Sequence, residues 1–292
     1  MEAKLRLASA TSYSRPEEGQ GTSKGDRDMG KYSPRPHRET VTDKDGGKKT
    51  VFFFMDNSDF DAFTPEVLGL GDITKPSIRV EALAASFDLT GFTKFCSQVD
   101  PHLCVPEFLS SFLDWLFKQL LTEFVTESHE GGKQLWASLP FMAKFTGDGV
   151  LFLWNTKGMR PTAIGNVIAS LANICQNYEA YFYPEMKKRV TEIPTRLRCG
   201  VARGAVCSVG DREDYVGPCI NIACRLNKLS PLSFCFSQRG LAIEKHLMPD
   251  GVERFLLRRV SIRGIGDSEL VYVPAKEFKR LRKADREAFR TP

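Results

Sequence analysis

With 292 residues, 42% of them hydrophobic and 21 of them Phe, the chain is long and apolar enough for one large domain with extensions around a real core. No apolar run approaches the roughly 20 residues that a bilayer span needs, and the first thirty residues lack the apolar stretch of a signal peptide. The 41 Lys and Arg against 36 Asp and Glu leave a net charge of +5, which suits a polyanionic ligand but is too mild to argue for nucleic acid by itself.

In chain order, residues 1 to about 50 are rich in Gly, Ser, Pro and charges of both signs, and they read as a mostly disordered arm. Val51-Phe52-Phe53-Phe54-Met55 ends that regime, and the segment 51–77 is expected to dock the arm on the domain or on a second subunit. A folded domain is expected over 78–274. Arg79 to Phe87 reads as a buried strand. Asp100-Pro101 opens a helix with Val105, Phe108, Leu109, Phe112, Leu113, Leu116, Leu120 and Phe124 at helical spacing. Phe141–Phe145 and Val150–Trp154 are short apolar strands around the turn Thr146-Gly147-Asp148-Gly149. A second helix covers Pro161 to Tyr183, and Arg196 to Val201 returns as a strand. Strand, helix, strand, strand, helix, strand is the ferredoxin-like βαββαβ arrangement, so an α+β fold is expected. An apolar stretch at Ala205–Val209, a helix from Pro218 to Leu229, and strands near Phe234 and at Leu270–Val273 are additions to it. The basic tail 275–292, with Phe278, Leu281 and Phe289 interleaved, reads as a solvated surface helix. Eight cysteines without a CxxC pair, most in apolar segments, fit reduced buried thiols in a cytoplasmic protein better than a zinc site or disulfide framework.

Two aspartates stand where an apolar strand runs into a glycine turn: Asp88 in Ser86-Phe87-Asp88-Leu89-Thr90-Gly91-Phe92-Thr93, and Asp148 in Lys144-Phe145-Thr146-Gly147-Asp148-Gly149. Singly, each has a bland reading, as a helix N-cap and as a turn residue. Together, on segments that a ferredoxin-like sheet sets side by side, they suit a two-metal site acting on phosphate. The amides of Gly91, Phe92 and Thr93, at a helix start, suit phosphate oxygens. Further on, Asn221 and Arg225 lie four apart on one helical face. They read either as a surface pair or as groups that orient a sugar and neutralise charge developing on phosphorus.

These segments resemble the class III nucleotidyl cyclases, the adenylate/guanylate cyclase family. Phe87 through Thr93 resembles its first metal motif, and Lys144 through Asp148 its base-reading lysine and second metal aspartate. Gly217 through Arg225 resembles its signature helix, and Arg258 through Gly266, then Glu269 through Tyr272, its terminal strand pair. The resemblance covers about residues 80 to 274. It implies two divalent ions, Mg²⁺ or Mn²⁺, on Asp88, Asp148 and the Leu89 carbonyl. It implies Asn221 on the ribose, Arg225 on the transition state, and Arg263 on the terminal phosphates of a nucleoside triphosphate. It also implies a head-to-tail homodimer, with the metal aspartates from one subunit and the base reader, asparagine and arginine from the other.

Lys144 and Asp214 stand at the base-reading positions. A donor and an acceptor suit adenine, cytosine or uracil, and the resemblance disfavours guanine, whose readers in this family usually include a Glu at the lysine position. Asp214-Tyr215-Val216-Gly217-Pro218-Cys219-Ile220-Asn221, with Ile262 through Gly266 and Leu229 through Phe234, resembles the bacterial pyrimidine cyclases of Pycsar antiphage systems. That implies a cyclic pyrimidine mononucleotide, cUMP before cCMP, acting in antiviral defence on a separate effector protein. An adenylate cyclase making cAMP is the alternative. A degenerate domain kept only for dimerisation or nucleotide sensing would lack one of Asp88, Asp148, Asn221 or Arg225. An RNA-binding sheet would need aromatics where Arg79 to Phe87 has small aliphatics, so no stable nucleic-acid partner is expected.

Overall fold

The computed structural model describes residues 37–42, 49–129, 131–211, 214–229, 231–242 and 254–292. The chain forms two compact units, up to Gly69 and from Leu70. In the first, β1 (His37–Thr42) and β2 (Lys49–Phe54) pair as an antiparallel hairpin, with the Arg38 guanidinium over the Phe53 ring at 5.2 Å. The Thr, Val and Phe content of these two segments suits a pleated pair where low complexity pointed to an arm. The rest of that arm, 1–36 and 43–48, lies outside the described residues.

The second unit is built on β3 (Arg79–Thr90), α1 (Pro101–Phe124), β6 (Met142–Phe145), β7 (Val150–Asn155), α2 (Pro161–Asn177) and β8 (Arg196–Val209). Their strands lie in the order β8-β3-β7-β6, each antiparallel to its neighbour, as a ferredoxin-like βαββαβ core requires. A separate hairpin, β4 (Val125–His129) with β5 (Gly132–Leu135), is inserted after α1. Beyond β8 the sheet grows by β9 (Asp214–Val216), α3 (Pro218–Leu226), β10 (Phe234–Ser237), β11 (Phe255–Ile262), β12 (Gly266–Pro274) and α4 (Ala275–Arg280). β10 runs parallel to β8, β12 and β11 follow antiparallel, and β9 folds back on the end of β8. β8 continues unbroken to Val209, absorbing the stretch read as separate. α2 gives way to a π-helical turn, Tyr178–Phe182, whose Tyr178 hydroxyl donates to the Pro194 carbonyl at 2.7 Å.

Alternation along the strands assigns the two faces of the sheet. Leu83, Ala85, Phe87 and Leu89 of β3 join α1 and α2 in one core, rich in Phe. Ala82 and Ala84 face the other way, beneath α3. Small residues there let that helix approach closely, and Gly200 of β8 is its seat. A Cβ at Gly200 would stand 2.2 Å from the Ala223 carbonyl oxygen. On this face Ser86 accepts a hydrogen bond from Asn227 Nδ2 at 3.0 Å, tying the C-terminal end of α3 to β3.

The tail corrects the sequence expectation. It is a packed element, not a solvated helix: Phe278, Leu281 and Phe289 are all buried in the α3-side core. Arg258 lies over the Phe278 ring at 4.5 Å, and Arg259 and Arg290 exchange two backbone hydrogen bonds of 2.9 Å. The tail breaks after Arg280 into two short helical pieces, Ala275–Arg280 and Lys283–Arg286, so it is not the single surface helix that its spacing suggested. Glu277 of α4 accepts from the Ser233 amide at 2.7 Å and hydroxyl at 2.9 Å. Burial outweighs those hydrogen bonds and the nearby Arg196, and it raises the Glu277 carboxyl above the ordinary Glu value. The stability this group contributes is therefore full below that value and is lost as pH rises through the folded pKa. Urea unfolding of wild type and Glu277→Gln from pH 4 to 7 is expected to show a fall in stability with rising pH that the variant lacks. Parallel curves would contradict the assignment.

Candidate active site

β3 delivers Asp88 to the α3 side of the sheet, next to its last residues, where the carboxylate is only 8% exposed. The β6–β7 turn meets it there. The Leu89 amide donates to the Asp148 carbonyl at 3.0 Å, and a Cβ on Gly149 would lie 1.9 Å from the Phe87 carbonyl oxygen. Only glycine permits that approach, and it brings the Asp148 carboxyl to Asp88. Burial first, then the adjacent Asp88 carboxylate, raise the Asp148 carboxyl above its ordinary value. Two acids so placed lack positive charge.

Part of the compensation comes from a residue that sequence reading missed. Arg198 lies directly across from Asp88 in the β3–β8 register. Its Nε donates to Asp88 Oδ2 at 3.1 Å and its Nη2 donates to the same oxygen. An Arg flanked by the buried Leu197 and Cys199, in a strand that pairs with an Asp-bearing strand, was the available signal. Among the described residues no group of three or more His, Cys, Asp or Glu gathers as a self-sufficient metal cage. The donor set of two touching carboxylates and a strand-end carbonyl fits hard cations that arrive with part of their shell supplied by water and phosphate oxygens, as Mg²⁺ does.

A second cluster joins the two sequence-predicted base readers. Lys144 of β6 and Asp214 of β9 form an ion pair, and Asp214 Oδ1 also accepts from the Tyr215 amide at 2.9 Å. The Tyr215 ring meets Phe141 edge-on at 5.2 Å.

A third cluster lies on α3. Ile222, Ala223 and Leu226 are buried against the sheet, which leaves Asn221 and Arg225 exposed. Arg225 Nη1 donates to the Arg263 carbonyl after β11. Asn221, Arg225, Lys228, Ser261 and Arg263 line a cleft of about 720 Å³. Lys228 was not anticipated. Gly91 caps a single helical turn, Phe92–Phe95, immediately after the Asp88 strand. The Phe92 ring packs on the core, while Thr93 and Lys94 are exposed. Each of the three clusters is internally joined. Among the described residues, no hydrogen bond or ion pair links one cluster to another.

Comparison with known proteins bears on the fold. The structure of the adenylyl cyclase CyaB from P. aeruginosa aligns over 72% of this chain and 98% of that one at 15% identity, with a TM-score of 0.51. The fold is that of a class III nucleotidyl cyclase catalytic domain. The guanylyl cyclase Cya2 aligns over 69% of this chain and 94% of its own at 18% identity, with a TM-score of 0.49. No family model and no curated protein matches the chain. Within this cyclase fold the Asp88–Asp148 pair lies at the end of the central strand β3. Among the described residues no helix is long and apolar enough to cross a membrane.

Removing one partner of a buried ion pair strands the other. Arg198→Gln is expected to cost about 3 kcal/mol of stability by urea unfolding, and Asp88→Asn added to it is expected to recover part of that loss. A cost under about 0.5 kcal/mol, the size of a surface substitution, would show that the pair is not holding Asp88.

Proposed function

We propose that the chain is a class III nucleotide cyclase. It converts a nucleoside triphosphate to its 3′,5′-cyclic monophosphate and pyrophosphate, with a pyrimidine substrate, UTP before CTP. The observation that carries the reading is the convergence of Asp88 and Asp148 at the end of β3, on the sheet face that also carries α3. Asp88, Asp148 and the Leu89 carbonyl would hold two Mg²⁺ or Mn²⁺. When bound, these ions supply the charge that neutralises the triphosphate and acidifies the ribose 3′-hydroxyl. The chain does the rest by placement. Asn221 orients the ribose so that the 3′-oxygen faces the α-phosphorus, and the bond from that phosphorus to the pyrophosphate oxygen breaks as the new one forms. Arg225 leaves the Arg263 carbonyl and places its guanidinium against charge on the α-phosphate, while Arg263 and the amides of Gly91, Phe92 and Thr93 hold phosphate oxygens.

Lys144 and Asp214 read the base. Already paired with each other, they present one donor and one acceptor. Uracil offers a carbonyl and a ring N–H to such a pair, and cytosine a ring nitrogen and an amine. Adenine matches in the same way as cytosine, which keeps cAMP formation as the second reading. Three clusters without direct links within one chain support a head-to-tail homodimer, in which the acids of one subunit meet α3 and the base readers of the other. The cyclic pyrimidine nucleotide then acts as a second messenger in antiviral defence, inside the cytoplasm, on a separate effector protein.

Incubating the protein with Mn²⁺ and each of ATP, GTP, CTP and UTP, with products identified by mass spectrometry, tests this. Cyclic UMP or CMP is expected, and cyclic AMP as the main product would move the assignment to the second reading. Asp148→Asn is expected to lower turnover by at least about 10³, since it removes a charge at the reacting phosphate, with the fold intact by circular dichroism. Undiminished turnover in that variant would remove the carboxylate pair from the chemistry.

A further inference from the structure

We infer that Lys228 is a polyphosphate-binding residue, the third cation of the α3 cleft. α3 ends at Leu226, and the chain then turns with an i to i+3 hydrogen bond, Lys228 N–H to the Arg225 carbonyl at 3.2 Å. In that tighter geometry residues i and i+3 eclipse, so Lys228 stacks over Arg225. Arg225 in turn lies one helical turn beyond Asn221. Asn221, Arg225 and Lys228 thus form one stripe, opposite the wall made by Ser261 and Arg263.

The composition of this cleft is one-sided. Its lining holds Arg225, Lys228 and Arg263 and no carboxylate. Lys228 is exposed and makes no ion pair among the described residues, so its ammonium is available to a ligand. A flexible ammonium suits a moving polyanion, whereas Arg225 is already held by the Arg263 carbonyl. A cation at a helix C-terminus also favours the helix dipole. That role would change stability and leave anion affinity alone.

Identifying the ligand as a nucleoside triphosphate rests on the cyclase reading; the polyphosphate site does not. Calorimetric titration of the full chain with inorganic tripolyphosphate, without divalent ions and at low salt, separates the two. Lys228→Gln is expected to weaken binding about tenfold, Lys228→Arg to keep it within about twofold, and both to melt with wild type. Wild-type affinity in Lys228→Gln, or no tripolyphosphate binding by wild type, would overturn the inference. If wild type forms no cyclic nucleotide while Lys228→Gln still loses tripolyphosphate, the cyclase reading fails and this one stands. If cyclic nucleotide forms and Lys228→Gln binds tripolyphosphate normally, the reverse holds.

Discussion

The hydrogen bond from the Leu89 amide to the Asp148 carbonyl, with Gly149 pressed against the Phe87 carbonyl, locks a hairpin turn onto the end of the central strand. Nearly everything else about the site follows from that contact. It brings together two carboxylates that would repel each other in isolation, and it does so with backbone, which does not relax when a side chain reorients. Rigid placement of like charges costs stability and creates an affinity for cations. Arg198 offsets part of that cost from the neighbouring strand.

Charge is distributed with the same economy. Acid gathers at the strand end, while Arg225, Lys228 and Arg263, which have no ion pair among the described residues, gather along α3 and the β11 terminus. On the reading proposed above, a ligand that is anionic along its length and carries metal at one end bridges the acids of one subunit and the cations of the other. The two regions are kept in register by close packing of α3, which lies on Gly200 and is fastened through Asn227 to Ser86 on the strand that ends in Asp88. The helix bearing Asn221 and Arg225 and the strand bearing the acid are thus one rigid piece. The clefts they form remain incomplete until a second subunit supplies the facing half, on the reading proposed above.

The βαββαβ order was legible because its signals are local. α1 carries a long apolar stripe behind Asp100-Pro101, and a GDG turn separates two short apolar strands. The pairing of Lys144 with Asp214 and the joining of Asn221, Arg225 and Arg263 at one cleft agree with motifs read from the chain. What was not legible depends on partners distant in sequence. Arg198 has meaning only opposite Asp88, a register that no spacing rule supplies. Lys228 lies inside the helix read as Pro218 to Leu229, on the face of Asn221 and Arg225, but no motif singled it out. The burial of Phe278, Leu281 and Phe289 depends on strand and α3 residues distant in sequence, which spacing within the tail does not reveal. The β1–β2 hairpin was hidden by polar, glycine-rich sequence around it.

Mixing two inactive proteins tests the central claim most directly. On the proposed reading, Asp88→Ala lacks a metal carboxylate and Asn221→Ala lacks the ribose group, so neither homodimer has a complete site. If each site takes its acids from one subunit and its α3 residues from the other, the heterodimer holds one intact site. Nucleotide cyclisation should then return to about a quarter of the wild-type rate, since half of the dimers are mixed and each carries one of two sites. Subunit exchange confirmed by mass spectrometry, with no return of activity, would contradict the account.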